Sequence, residues 1–78
     1  MTKIEILGTG CAKCKRLYAN AEQAVKDLKI TADVIKVEDL DEIVNRGVML
    51  TPALFINGEL VAEGRVPCVE EIVAMLKE

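Results

Sequence analysis

Two cysteines, Cys11 and Cys14, sit where the chain changes period, and that junction narrows the folds open to it. Lys3-Ile4-Glu5-Ile6-Leu7 alternates in the manner of a half-buried strand, and Gly8-Thr9-Gly10 reads as a turn. Beyond it, Cys14, Leu17, Tyr18, Ala21, Ala24, Val25 and Leu28 recur at helical spacing on one face. Cys11 therefore falls at a helix start, and Cys14 falls in the apolar stripe. The first turn of a helix carries unpaired backbone N–H groups and about half a unit of positive charge, which favours a thiolate over a thiol. Lys13, Lys15 and Arg16 add charge of the same sign. The Cys11 thiol is thus expected to ionise below the ordinary cysteine range, with Cys14 as the less accessible partner. The pair divides into an attacking sulfur and a resolving one.

The remaining punctuation completes a topology. Lys29-Ile30-Thr31 marks a turn, and Ala32-Asp33-Val34-Ile35-Lys36-Val37 is strand-like. Asp39 with Glu42 three residues on has the form of a capping box, and Gly47 suits the left-handed stop of a short helix carrying Leu40, Ile43 and Val44. Thr51-Pro52 precedes the apolar run Ala53-Leu54-Phe55-Ile56. Asn57-Gly58 then signals a tight hairpin into Glu59-Leu60-Val61-Ala62. Gly64 breaks the pattern. Pro67 fits the first turn of a last helix with Val69, Ile72, Val73 and Leu76 inward and Glu70 and Glu71 near its positive end. The order βαβαββα predicts an α/β domain over residues 1–78: a four-stranded mixed sheet, its first two strands parallel through a crossover, flanked by three helices.

Composition removes several functions. The 78 residues suffice for one small domain, and 51% apolar content is generous for that length. Three cysteines without a signal-peptide pattern do not form a disulfide framework, so the expected setting is reducing and cytoplasmic. No apolar stretch reaches the roughly 18–20 residues of a membrane span, so no membrane partner is expected. A net charge of −3, with one Phe and one Tyr, offers neither a phosphate-tracking surface nor a base-stacking platform, so nucleic acid is not an expected partner. The chain has no histidine, which removes the commonest general base and transition-metal ligand.

The element order, with Gly8-Thr9-Gly10-Cys11-Ala12-Lys13-Cys14, Thr51-Pro52-Ala53-Leu54 and Asn57-Gly58, resembles the thioredoxin fold in its minimal, glutaredoxin-like form. It is most similar to the small redox-active disulfide proteins of archaea and bacteria, and the resemblance covers essentially the whole chain. It implies a thiol–disulfide oxidoreductase in which Cys11 attacks a target disulfide and Cys14 resolves the mixed disulfide, leaving a Cys11–Cys14 disulfide and needing no other cofactor or metal. It also implies a cis Thr51-Pro52 bond beside Cys11, with Thr51 backbone groups pairing with an extended substrate segment. The implied partners are disulfide-containing target proteins and an upstream thioredoxin-type reductase, with the chain acting as a monomer. Lys13 is a candidate for tuning the thiolate, although a solvated helix lysine is the plainer reading. Tyr18 is a candidate for packing behind the disulfide, the plainer reading being a core-edge aromatic.

Departures from relatives matter too. The dipeptide between the cysteines is Ala-Lys rather than Gly-Pro or Pro-Tyr, and no Trp precedes Cys11. Where glutaredoxins hold glutathione with a Gly-Gly-x-Asp-like segment, this chain reads Ala62-Glu63-Gly64-Arg65, which argues against glutathione. No buried Asp on the second or third strand offers itself as a proton acceptor for Cys14; Asp33 reads as exposed. Cys68, at the start of the last helix, is a possible secondary thiol or simply a small apolar residue beneath that helix. Arg65 is either an anion-attracting group or an ordinary surface arginine. Val48-Met49-Leu50 is an apolar run beside the predicted site that suits a partner. Two other functions compete. The glycine-flanked CxxC is also similar to the loop of copper-chaperone-like domains that bind Cu(I) or Zn through two thiolates, although those run βαββαβ. A non-catalytic thioredoxin-like interaction module is the third reading.

Overall fold

The computed structural model describes residues 2–9 and 12–77. The elements follow in the order β1 (Thr2–Leu7), α1 (Ala12–Leu28), β2 (Ala32–Val37), α2 (Leu40–Asn45), β3 (Ala53–Ile56), β4 (Glu59–Glu63) and α3 (Val69–Lys77). The sheet order is β2-β1-β3-β4. β1 pairs parallel with β2 and antiparallel with β3, and β3 pairs antiparallel with β4. This is the predicted mixed sheet with three helices.

Strand alternation sorts the side chains onto two faces. Ile4 and Ile6 of β1, Leu54 of β3 and Ala62 of β4 join Leu17, Ala21 and Ala24 of α1 and Ile72 of α3 in the larger core. Leu7, Ala53 and Phe55 point the other way, onto Ile43 of α2 and Val48. α1 and α3 therefore cover one face and α2 the other. Asn57 and Gly58 both have positive φ, 53° and 83°, as a type I′ hairpin requires. The Asn57 side-chain oxygen accepts from the Lys3 amide at 2.9 Å, and its own amide donates to the Lys3 carbonyl at 2.7 Å, tying the hairpin back to β1.

Three expectations need adjusting. Asp39 caps α2, its carboxylate accepting from the amides of Asp41 and Glu42, but the Glu42 side chain does not return the bond; it pairs with Arg46 at 3.1 Å, so half of the capping box forms. α2 is short and only Ile43 is buried, while Leu40 and Val44 are each 63% exposed. Pro67 lies before the last helix rather than in its first turn. The Cys68 carbonyl accepts the opening bond from the Ile72 amide, and the carbonyl of the buried Pro67 accepts from the Asn20 side-chain amide of α1 at 3.0 Å. Among the described residues no helix is long and apolar enough to cross a membrane.

Glu5 is the feature that alternation hides. It lies on the central strand with 4% of its surface exposed, opposite Ile35 and Phe55. Its two carboxylate oxygens accept from the Arg46 guanidinium at 2.8 and 2.6 Å in a bidentate fork, and that guanidinium lies 5.5 Å from the centre of the Phe55 ring. A carboxylate under α2 would be costly to bury alone; the fork, just after α2, makes it tolerable. The hydrogen bonds from Arg46 hold the Glu5 carboxyl below the usual carboxylate range, against the opposing effect of burial.

A depressed folded-state value means the pair contributes in full above the unfolded glutamate value of about 4.3 and loses its contribution as pH falls through the folded value. Urea unfolding at pH 7 is expected to show Arg46→Ala destabilised by about 3 kcal/mol, because it strands a buried carboxylate. Glu42→Gln, at the exposed end of the network, is expected to cost no more than about 0.5 kcal/mol. Glu5→Gln should lose less stability than the parent when pH is lowered from 5 to 3. An acid limb as steep in Glu5→Gln as in the parent would assign it to other carboxylates.

Candidate active site

The C-terminal end of β1, the first turn of α1 and the loop entering β3 meet at one end of the sheet. Cys11 lies outside the described residues; in sequence it directly precedes Ala12, the first residue of α1. Cys14, within the first turn, is 5% exposed. Its sulfur rests directly against Gly8, so that a Cβ on residue 8 would occupy the space the sulfur fills. The same Cβ would lie 3.8 Å from the Pro52 Cα. Gly8 thus stands between Cys14 and Pro52, and its lack of a side chain permits this close approach. Its backbone is itself held, its amide donating to the Val37 carbonyl at 3.0 Å. The turn reading of Gly8 missed this role; the signal in the sequence is a glycine directly after a strand and a few residues ahead of the cysteine pair.

The Thr51-Pro52 peptide bond is cis, as the resemblance implies; Pro52 is buried and Thr51 exposed. The loop before it is fixed from β4. Glu63 accepts from the amides of Met49 at 2.7 Å and Leu50 at 3.2 Å, and the Pro52 carbonyl accepts from the Gly64 amide at 2.9 Å. Gly64 has φ of 72°, and a Cβ there would come within 3.0 Å of the Leu50 Cβ. With backbone polar groups satisfied from beneath, Met49 and Leu50 turn outward, 89% and 62% exposed, beside Pro52. The sequence points to Glu63 only as part of the segment Ala62-Glu63-Gly64-Arg65, and nothing local signals that its carboxylate holds another loop.

The other candidates are spread more widely. Lys13 is an exposed residue of α1. Tyr18 is half-buried at the edge of the larger core, with the Lys36 ammonium 4.5 Å from its ring centre. Cys68 is exposed, its thiol 3.8 Å from a Glu71 carboxylate oxygen. Arg65 pairs with Glu71 at 2.9 Å on the surface, and that pairing holds the Glu71 carboxyl below its usual range. Asp33 is exposed. Among the described residues no group of three or more acidic, cysteine or histidine side chains is placed to hold a metal ion.

Residues 2–77 match the thioredoxin domain family. The chain is 46% identical over 76 residues to a thioredoxin of Methanothermobacter thermautotrophicus, covering 97% of this chain and 99% of that protein. It is 44% identical over 77 residues to a thioredoxin of Methanocaldococcus jannaschii, covering 99% and 88%. Among solved structures, thioredoxin-2 of a malaria parasite, described as a component of that parasite's protein secretion machinery, superimposes with a TM-score of 0.74 over 99% of this chain and 82% of the other. At 16% identity that likeness speaks to the fold. None of these similarities is to a metal-handling protein. By sequence and by fold, the chain belongs to the thioredoxin family and is a thiol–disulfide oxidoreductase of the disulfide-reducing kind.

Proposed function

We propose that the protein reduces protein disulfides through a Cys11/Cys14 dithiol cycle in the cytoplasm, acting as a monomer. The Cys11 thiolate attacks one sulfur of the target disulfide and the other target sulfur leaves as a thiolate. The Cys14 thiol gives up its proton and its sulfur attacks Cys11, expelling the second target thiolate. Two electrons pass to the target and the Cys11–Cys14 disulfide remains, to be reduced by an upstream reductase of the thioredoxin type. No cofactor takes part beyond that disulfide.

The observation that carries this reading is the packing of the Cys14 sulfur against Gly8 beside Pro52. A buried second thiol one helical turn from an attacking one is suited to attack within the mixed disulfide, where effective concentration is high, and poorly suited to meet targets itself. The exposed Met49 and Leu50, on a loop fixed by Glu63, supply an apolar margin suited to a polypeptide segment next to Thr51 and Pro52. Lys13 acts on Cys11 only by its charge, and Cys68 stands outside the cycle.

Insulin reduction under dithiothreitol in metal-free buffer tests the cycle. Turnover is expected to vanish in Cys11→Ser, and Cys14→Ser is expected to accumulate a mixed disulfide through Cys11. Absence of turnover in the unmodified protein, with tight one-to-one Cu(I) or Zn(II) binding through both cysteines, would replace this reading with metal handling. In the same assay, Gly8→Ala is expected to lose at least tenfold in turnover while retaining its far-ultraviolet circular dichroism, since the added methyl displaces the Cys14 sulfur. Parental turnover in Gly8→Ala would remove Gly8 from the site.

A further inference from the structure

β4 departs from regular pairing at one residue, and that departure decides where Glu63 points. Phe55 stands opposite Leu60 and Leu54 opposite Ala62, so Val61 is the extra residue of a bulge. Leu60 shares the α2 side of the sheet with its partner Phe55. Strict alternation from there would send Ala62 to that side and Glu63 to the side of α1 and α3. With the bulge, Val61 and Ala62 both pack into the larger core, and Glu63 returns to the face of Ala53, its register partner.

On that face its carboxylate meets the loop that enters β3. One oxygen, Oε2, accepts from the successive amides of Met49 at 2.7 Å and Leu50 at 3.2 Å. The next residue, Gly64, donates its amide to the Pro52 carbonyl at 2.9 Å, and a Cβ on it would stand 3.0 Å from the Leu50 Cβ. The end of β4 therefore holds the segment from Met49 to Pro52 at both ends by its backbone. The side chains of Met49 and Leu50 are left in solvent, an exposure that a binding partner relieves. At the far end of the segment Pro52 lies beside Gly8, against which the Cys14 sulfur packs.

We propose that Glu63 is a positioning residue for polypeptide targets: by fixing Met49 and Leu50 outward beside Pro52, it makes the chain prefer a disulfide carried on a polypeptide to a small free disulfide. The proposal rests on the dithiol cycle and adds no chemical step to it. A polypeptide lays apolar side chains on Met49 and Leu50 while its disulfide is attacked, whereas a small disulfide gains nothing from that loop. With its backbone held, the loop is in place before the target arrives; released, it would have to be ordered on binding, which weakens the complex. Both amides converge on one oxygen, so the requirement is for an acceptor at that point rather than for a charge. Glutamine, whose side-chain oxygen is also an acceptor, can stand in.

The test uses the full chain, reduced beforehand and freed of reductant, then mixed with insulin or with 2-hydroxyethyl disulfide. Its oxidation is followed by acid quenching and mass spectrometry. The ratio of the insulin rate constant to the small-disulfide rate constant is expected to fall about tenfold in Glu63→Ala, the effect of having to order two long side chains on binding. Glu63→Gln is expected to keep the ratio within about threefold of the parent, because the acceptor oxygen remains. In Met49→Ala/Leu50→Ala the ratio is expected to be low already, and adding Glu63→Ala to change it by less than about twofold, as for residues that act through one another. Amide hydrogen exchange followed by NMR is expected to quicken at Met49 and Leu50 in Glu63→Ala and to stay constant along β1, which separates a freed loop from an unfolding chain. Equal slowing with both disulfides, a ratio as low in Glu63→Gln as in Glu63→Ala, or the same loss from Glu63→Ala with and without Met49 and Leu50 would overturn the positioning role while leaving the dithiol cycle intact. A parent chain oxidised by neither disulfide would overturn the cycle and this role together.

Discussion

β1 is hydrogen-bonded to β2 and β3 on its two edges and contributes to the cores on both faces of the sheet. Ile4 and Ile6 set the face that α1 and α3 must cover, while Glu5 and Leu7 set the face that α2 must cover. A strand so placed has no solvent side for a polar residue. Glu5 is therefore accommodated only because Arg46, just past α2, reaches back to it with a bidentate fork. The ion pair ties the C-terminal end of α2 to the central strand. From there only Gly47 to Leu50 separate Arg46 from Thr51 and Pro52, so the same contact limits where the loop flanking Cys14 begins.

This arrangement explains which parts of the molecule could be read from the chain. Periodicity and punctuation suffice for the strands, α1 and the Asn57-Gly58 hairpin because those signals are local: alternation, a helical stripe, two residues tolerant of positive φ. The same local rule misreads Glu5, since alternation says which side a residue points to and not whether that side is wet. Only the number of layers decides that, and the partner of Glu5 lies 41 residues away. α2 is the weakest element by sequence for a related reason. Leu40 and Val44 have helical spacing with Ile43, but six residues are too few to bury more than one of them.

The candidate site divides in the same way. Cys14 and the cis Thr51-Pro52 bond could be anticipated because each belongs to a short pattern with its own chemistry, which the thioredoxin resemblance joined. The two features that shape their surroundings could not. Gly8 matters for what it lacks, and only the position of the Cys14 sulfur shows that a methyl there would collide. Glu63 matters because its carboxylate accepts from two successive amides on another loop, a long-range contact with no sequence signature.

Cys14 is thus enclosed asymmetrically. On one side stands Pro52, reached across a glycine and bordered by an apolar, fixed loop; on the other is a cavity lined by Ile6, Lys15, Lys36 and Glu38. The first surroundings have an edge along which the backbone and apolar side chains of a polypeptide can lie. The strand that creates both sides is β1, whose end brings Gly8 against the Cys14 sulfur and also lines the cavity beside it.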